Sequence, residues 1–133
     1  MNFGYREVCL EHDTGPRHPE SPDRLRAVRQ GLSESFGAKY VAPDDATVEQ
    51  VTAVHDADYV AEVREFCANG GGDWDADTVA VEATWDAALA SAGLANWVAR
   101  AALDGDDGRD TPFSLGRPPG HHAVEDDAMG FCF

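Results

Sequence analysis

Helical stripes and short apolar runs take turns along the chain, and that alternation admits few architectures. Ser21-Pro22-Asp23 reads as a helix N-cap, a first-turn proline and a first-turn acid. Leu25, Val28, Leu32 and Phe36 follow on one helical stripe, and Gly37 ends it. Thr47 caps a short helix carrying Val48, Val51 and Val54. A third helix is predicted from Asp56 to about Ala68, with Tyr59, Val60, Val63 and Phe66 turned inward, and Gly70-Gly71-Gly72 breaks it. The longest helix runs from about Thr84 to Leu103, with Trp85, Leu89, Ala92, Asn96 and Ala99 along one side; its many alanines favour helix. Val8-Cys9-Leu10, Tyr40-Val41 and Pro112-Phe113-Ser114-Leu115 are short enough and apolar enough to be strands. Strands alternating with helices predict an α/β fold.

The 133 residues make room for one domain. Twenty-five acids against ten bases leave a net charge of −15, and only one of the bases is a lysine, Lys39. High net charge with no isoleucine is a composition that leans toward disorder. The periodic apolar positions, three Trp, three Tyr and six Phe argue instead for a packed domain. Dense carboxylates that repel in dilute buffer and are screened by salt suit a halophilic setting. The same charge excludes a broad nucleic-acid surface, which needs basic stripes. No apolar run approaches the roughly 20 residues of a membrane span, and no signal-peptide core is visible, so no membrane partner is expected. Cys9, Cys67 and Cys132 are odd in number and scattered, as in the reduced thiols of a cytoplasmic protein.

The segment that can carry chemistry is Gly116-Arg117-Pro118-Pro119-Gly120-His121-His122-Ala123. Adjacent imidazoles supply a base and an acid or electrostatic partner near neutral pH. Pro118 and Pro119 stiffen the turn, Gly120 allows close approach, and the turn follows a predicted strand, where α/β sheets place ligands.

Arg117-Pro118-Pro119-Gly120-His121-His122-Ala123, followed by Gly130-Phe131-Cys132-Phe133, resembles the active-site segment of the histone deacetylase superfamily, which includes acetylpolyamine amidohydrolases and acetoin-utilisation proteins. His18-Pro19-Glu20-Ser21-Pro22-Asp23-Arg24-Leu25, Val54-His55-Asp56 with Tyr59-Val60, and Asp75-Ala76-Asp77-Thr78 resemble further family segments in the same order. The resemblance implies the N-terminal portion of an arginase/deacetylase-type fold, a mainly parallel sheet flanked by helices. It implies zinc-dependent removal of acetyl from acetyl-lysine or a related acetylated amine. His121 and His122 are then the catalytic proton-transfer pair, Gly130 and Phe131 belong to the substrate channel, and Arg117, Pro118, Pro119 and Gly120 support the loop.

The family takes its metal from an Asp-x-His segment and a second Asp, and polarises the carbonyl with a tyrosine, none of which matches in residues 1–133. The expectation is therefore a single deacetylase-like domain cut after the histidine pair, with no metal ligands of its own, no zinc bound and no activity alone. An alternative is a non-catalytic fragment or degenerate paralogue that associates with a C-terminal half, another partner or a second copy of itself.

Several residues carry a more ordinary expectation. His18-Pro19-Glu20 shapes the rim of the site, His55 is a structural hydrogen bonder, and a replacement metal site from His12, Asp13, His18 and His55 is disfavoured. Cys132 is expected as a small buried hydrophobe. Asp75 and Asp77 form a turn, with Asp77 the more constrained. Asp104, Asp106, Asp107, Asp110, Asp126 and Asp127 make a solvated acidic face, and Trp74, Trp85 and Trp97 belong to the core or to a protomer contact.

Overall fold

Phe3, Gly4 and Tyr5 are all buried and form the central strand, β1 (Phe3–Tyr5), of a three-stranded parallel sheet. The computed structural model describes residues 2–105 and 111–133. Asp106, Asp107 and Asp110 of the expected acidic face lie outside those residues. β1 pairs on one side with β2 (Tyr40–Val41), Phe3 opposite Tyr40, and on the other with β5 (Phe113–Leu115), Phe3 opposite Phe113 and Tyr5 opposite Leu115. The first strand is thus not Val8-Cys9-Leu10. Glu7–Leu10 winds into a 3-10 turn, with the Cys9 N–H donating to Arg6 O and Glu11 N–H to Val8 O. Gly4 lets α4 approach the strand closely: a Cβ there would lie 2.8 Å from the Trp97 ring.

Helix α1 (Pro22–Phe36) links β1 to β2. Ser21 stands at its N-cap with extended backbone but makes no side-chain cap bond, and Gly37 closes it in the left-handed region. Of the predicted stripe only Leu25 is buried; Phe36 is 75% exposed. Helix α2 (Val48–Thr52) opens on a full capping box, in which Thr47 Oγ1 accepts the Gln50 N–H and the Gln50 side chain accepts the Thr47 N–H. Val54 lies past its end and is exposed. Helix α3 (Ala57–Ala68) buries Tyr59, Val60, Val63 and Cys67, with Phe66 half-buried.

The glycines after α3 do more than break it. β3 (Gly71–Asp73) pairs antiparallel with β4 (Val79–Val81), and Gly71, at φ 71°, lies so close to Ala80 O that a Cβ would sit 2.3 Å from it.

Helix α4 (Thr84–Asp104) crosses the sheet and packs on β1, β5 and the 3-10 turn. Its buried residues are Thr84, Ala87, Ala90, Gly93 and Leu94, so the buried face is rotated from the predicted Trp85–Leu89–Ala92–Asn96–Ala99 stripe. The small residues face inward because backbone must approach there: a Cβ on Gly93 would lie 2.3 Å from Asp44 O. Tyr5, Cys9, Leu25, Ala90, Leu94 and Leu115 form one core, and Tyr59, Val60, Val63, Cys67, Ala80 and Ala128 a second. No described helix is long and apolar enough to cross a membrane.

Candidate active site

β5 ends at Leu115 and leads straight into the proline-rich turn. The Arg117–Pro118 peptide bond is cis, Pro118 is fully buried, and Ser91 Oγ of α4 donates to Pro118 O at 2.9 Å. His121 and His122 follow on an exposed turn, their ring centroids 4.3 Å apart and their planes inclined by 46°.

Two other turns close on this pair. Met129 and Cys132 exchange backbone hydrogen bonds around Gly130 and Phe131, whose φ angles are 60° and 71°, as at the centre of a type I′ turn. Gly130 lies against the His122 ring, where a Cβ would meet its side chain at 3.1 Å. Phe131 holds a positive φ without being glycine, at a cost on the order of 1–3 kcal/mol. Its N–H donates to Thr78 Oγ1 at 3.2 Å, and its ring meets the His18 ring nearly perpendicularly, at 4.7 Å. Pro19, Glu20 and Arg24 come from the start of the chain to complete an open cleft of about 470 Å³ that Pro119, His121, His122, Gly130 and Phe131 also line.

Arg117 is 2% exposed and turns away from the cleft. Its Nε and Nη2 donate to the two Glu20 oxygens at 2.6 and 2.7 Å, and its Nη1 donates to the Cys9 and His12 carbonyls, each at 2.9 Å. Four of the five N–H donors of this buried guanidinium are thus used on a carboxylate and two carbonyls. The more exposed Arg24 shares the same Glu20 at 3.3 Å.

His12 lies beneath. Its Nδ1 is 2.8 Å from Thr84 Oγ1, and its Nε2 has no hydrogen-bond partner and sits 3.8 Å from Glu20 Oε2. Burial, reinforced by the Arg117 charge, pushes the His12 pKa down to about 4 against the pull of Glu20. This histidine is a neutral structural group at physiological pH.

His18 joins two loops. Nδ1 accepts the Glu20 N–H at 3.1 Å, and Nε2 donates to Asp77 O at 2.8 Å. His55 Nδ1 bonds Val124 O at 2.9 Å, far from any metal-like arrangement. In the Asp75 turn the constrained carboxylate is Asp75, not Asp77. Asp75 Oδ1 accepts the Asp77 and Thr78 N–H groups, which holds its carboxyl below the usual range, while Asp77 supplies only backbone to these contacts. Cys132 is fully buried, and its sulfur accepts the His122 N–H at 3.4 Å. Trp74 meets Tyr59, Phe66 and Phe133 edge-to-face and donates to Asp127.

The structure therefore brings His121, His122, Gly130 and Phe131 to one cleft, with Pro119 in its wall and Arg117 and Pro118 behind it. Gly120 is exposed at the head of the turn. Arg24 lines the cleft without having been singled out; its place one turn into α1, four residues after Glu20, was the available signal. Among the described residues no three His, Cys, Asp or Glu side chains are grouped to hold a metal ion. The described residues do not make a zinc site.

Comparison with known proteins bears on the family and the fold. The family model of the histone deacetylase domain matches residues 18–133. A histone deacetylase-like amidohydrolase of Pseudomonas aeruginosa is 33% identical over 98% of this chain and 39% of its own length. A probable deacetylase of Methanothermobacter thermautotrophicus is 38% identical over 86% of this chain and 34% of its own. The crystal structure of the HDA15 HD domain superposes with a TM-score of 0.87 at 33% identity, covering 98% of this chain and 38% of that one. The chain spans only about a fifth to two fifths of the length of the curated relatives it matches.

Proposed function

The chain belongs to the histone deacetylase family, and from that premise we propose that its cleft serves hydrolysis of an acetyl amide, with acetyl-lysine or a related acetylated amine as substrate. The observation that carries the reading is the juxtaposition of two imidazoles, 4.3 Å apart, with Phe131 in the same cleft. A flat ring flanks a methylene chain well, and the pair lies where the amide would end. In hydrolysis a water oxygen bonds to the acyl carbon, the carbon–nitrogen bond breaks, and acetate and free amine leave. His121 and His122 take the proton from the water and return one to the amine nitrogen. Gly130 and Phe131 form the channel wall, and Arg117 with Pro118, Pro119 and Gly120 fixes the turn that carries the pair.

Zinc belongs to this reading as a requirement of the complete family domain, its ligands lying in the portion of the relatives that this chain does not span. The isolated 133 residues are accordingly expected to be inactive. Association with a C-terminal half or a second copy is a second reading, favoured by the side of β5 that pairs with no strand among the described residues and by Phe113, which is 49% exposed.

A chimera tests the proposal: residues 1–133 replace the matching segment of the Pseudomonas amidohydrolase. The expected result is amide hydrolysis on an acetyl-lysine substrate that His121→Ala lowers by roughly 10²–10⁴-fold. A folded, zinc-loaded chimera without activity, or one indifferent to His121→Ala, would overturn it. Hydrolysis by the isolated chain that His121→Ala removes would overturn the expectation of inactivity.

A further inference from the structure

Phe131 is the one non-glycine residue in the left-handed region among the described residues, and a bulky side chain stays there only where its surroundings over-determine it. Two side chains outside the cleft do so. Thr78 is fully buried and spends its hydroxyl oxygen on the Phe131 N–H. Thr78 is itself pinned on both sides, its N–H to Asp75 Oδ1 at 2.7 Å and its carbonyl to the Trp74 N–H at 2.8 Å. His18 presses its ring against the Phe131 ring, and both its nitrogens are tied, one within its own loop to the Glu20 N–H and one across to Asp77 O. A glycine at 131 would adopt this backbone without strain. The position carries an aromatic ring instead, and neither Thr78 nor His18 lines the cleft that the ring borders.

We infer that Thr78 and His18 are positioning residues: together they hold the Phe131 ring as the wall of the His121–His122 cleft and so set the width open to a substrate chain. The substrate part of this inference rests on the acyl-amide reading above; the positioning part stands on the geometry.

The test uses the full 133-residue chain. Amide hydrogen exchange at Phe131 is followed in Thr78→Val, which keeps the shape and loses the acceptor, and in Thr78→Ser, which restores it. Exchange at Phe131 is expected to quicken about five- to tenfold in the valine variant, to return in the serine variant, and to stay unchanged at Leu94 in the core. His18→Ala provides a second, independent arm and is expected to quicken the same amide. N-acetyl-lysine methylamide, titrated while the His122 resonances are observed, is expected to bind more weakly in Thr78→Val and His18→Ala and normally in Thr78→Ser. An unchanged Phe131 amide in the valine and alanine variants, or an equal acceleration of every amide, would overturn the positioning role. Failure of the unsubstituted chain to bind the probe, with the selective exchange effect intact, would overturn the acyl-amide reading of the cleft and leave the positioning role standing.

Discussion

Glu20 and Arg117, 97 residues apart in the chain, meet through two parallel hydrogen bonds of 2.6 and 2.7 Å with both side chains buried. That single pair fastens the turn bearing the two histidines to the loop bearing Pro19 and His18. Removing one partner strands a charge out of water, so Glu20→Gln is expected to lower stability by about 3–5 kcal/mol. Arg117→Lys is expected to behave similarly, since an ammonium cannot span both oxygens and two carbonyls. Urea unfolding of each single variant and of the double variant checks this. The double should lose clearly less than the sum, and strict additivity would contradict the pairing.

His12 makes stability depend on pH. Its folded pKa is about 4 against an ordinary value of 6.5, so between those values the unfolded chain binds the proton that the folded chain refuses. Stability is then fully present above about pH 6.5 and falls as the pH drops toward 4, with a total loss of about 3 kcal/mol. Denaturant unfolding at pH 7.5, 5.5 and 4.5 measures the slope, and His12→Asn should remove most of it.

Two glycines in helices are expected to respond oppositely to alanine. At Gly31, in α1, nothing lies within 4 Å of an added Cβ, so Gly31→Ala should stabilise by up to about 1 kcal/mol through helix propensity. At Gly93 the same Cβ would fall 2.3 Å from Asp44 O and 2.7 Å from the Ala46 nitrogen, backbone atoms that cannot swing aside. The clash outweighs propensity there, and a loss of about 1–3 kcal/mol is expected. Thermal melts of the two variants side by side decide the matter.

The net charge of −15 predicts salt-dependent stability. The screening length shrinks from about 30 Å at 0.01 M to about 3 Å at 1 M salt, which removes most repulsion between carboxylates. The melting temperature should rise steadily from dilute buffer to molar KCl. Equal melting temperatures would rule out a halophilic design.

What was legible in the sequence divides along physical lines. The N-cap at Thr47, helix α3 and the short strands at Tyr40 and Phe113 carry local signals strong enough to read directly. β1 escaped because Phe3-Gly4-Tyr5 offers no apolar run; its strand character comes from two neighbours that arrive much later in the chain. The buried face of α4 is rotated from the Trp85–Leu89–Ala92–Asn96–Ala99 stripe, because helical spacing alone does not say which of two alanine-rich faces turns inward. Ala87 and Ala90 are buried beside Gly93, where backbone approaches closely, while Trp85 and Leu89 line a small apolar cavity at the side.

The candidate site was read from its motifs, and the structure adds the arrangement between them. That Arg117 reaches Glu20 across 97 residues and that Thr78 holds Phe131 are tertiary facts with no spacing to betray them, whereas the Glu20–Arg24 pair and the Asp75 turn are local.

The pairing of Phe3 with Phe113 sets an order of events during synthesis. At about 5–20 residues per second, the ribosome releases β1 several seconds before its second neighbour exists. The separation also makes this a high-contact-order core, in which closing a long loop precedes any reward from strand pairing. Arg117, which reaches back 108 residues to Cys9, arrives later still. The first strand made is thus among the last to be enclosed, and a nascent chain halted before residue 113 would possess its helices but neither a complete central sheet nor a cleft.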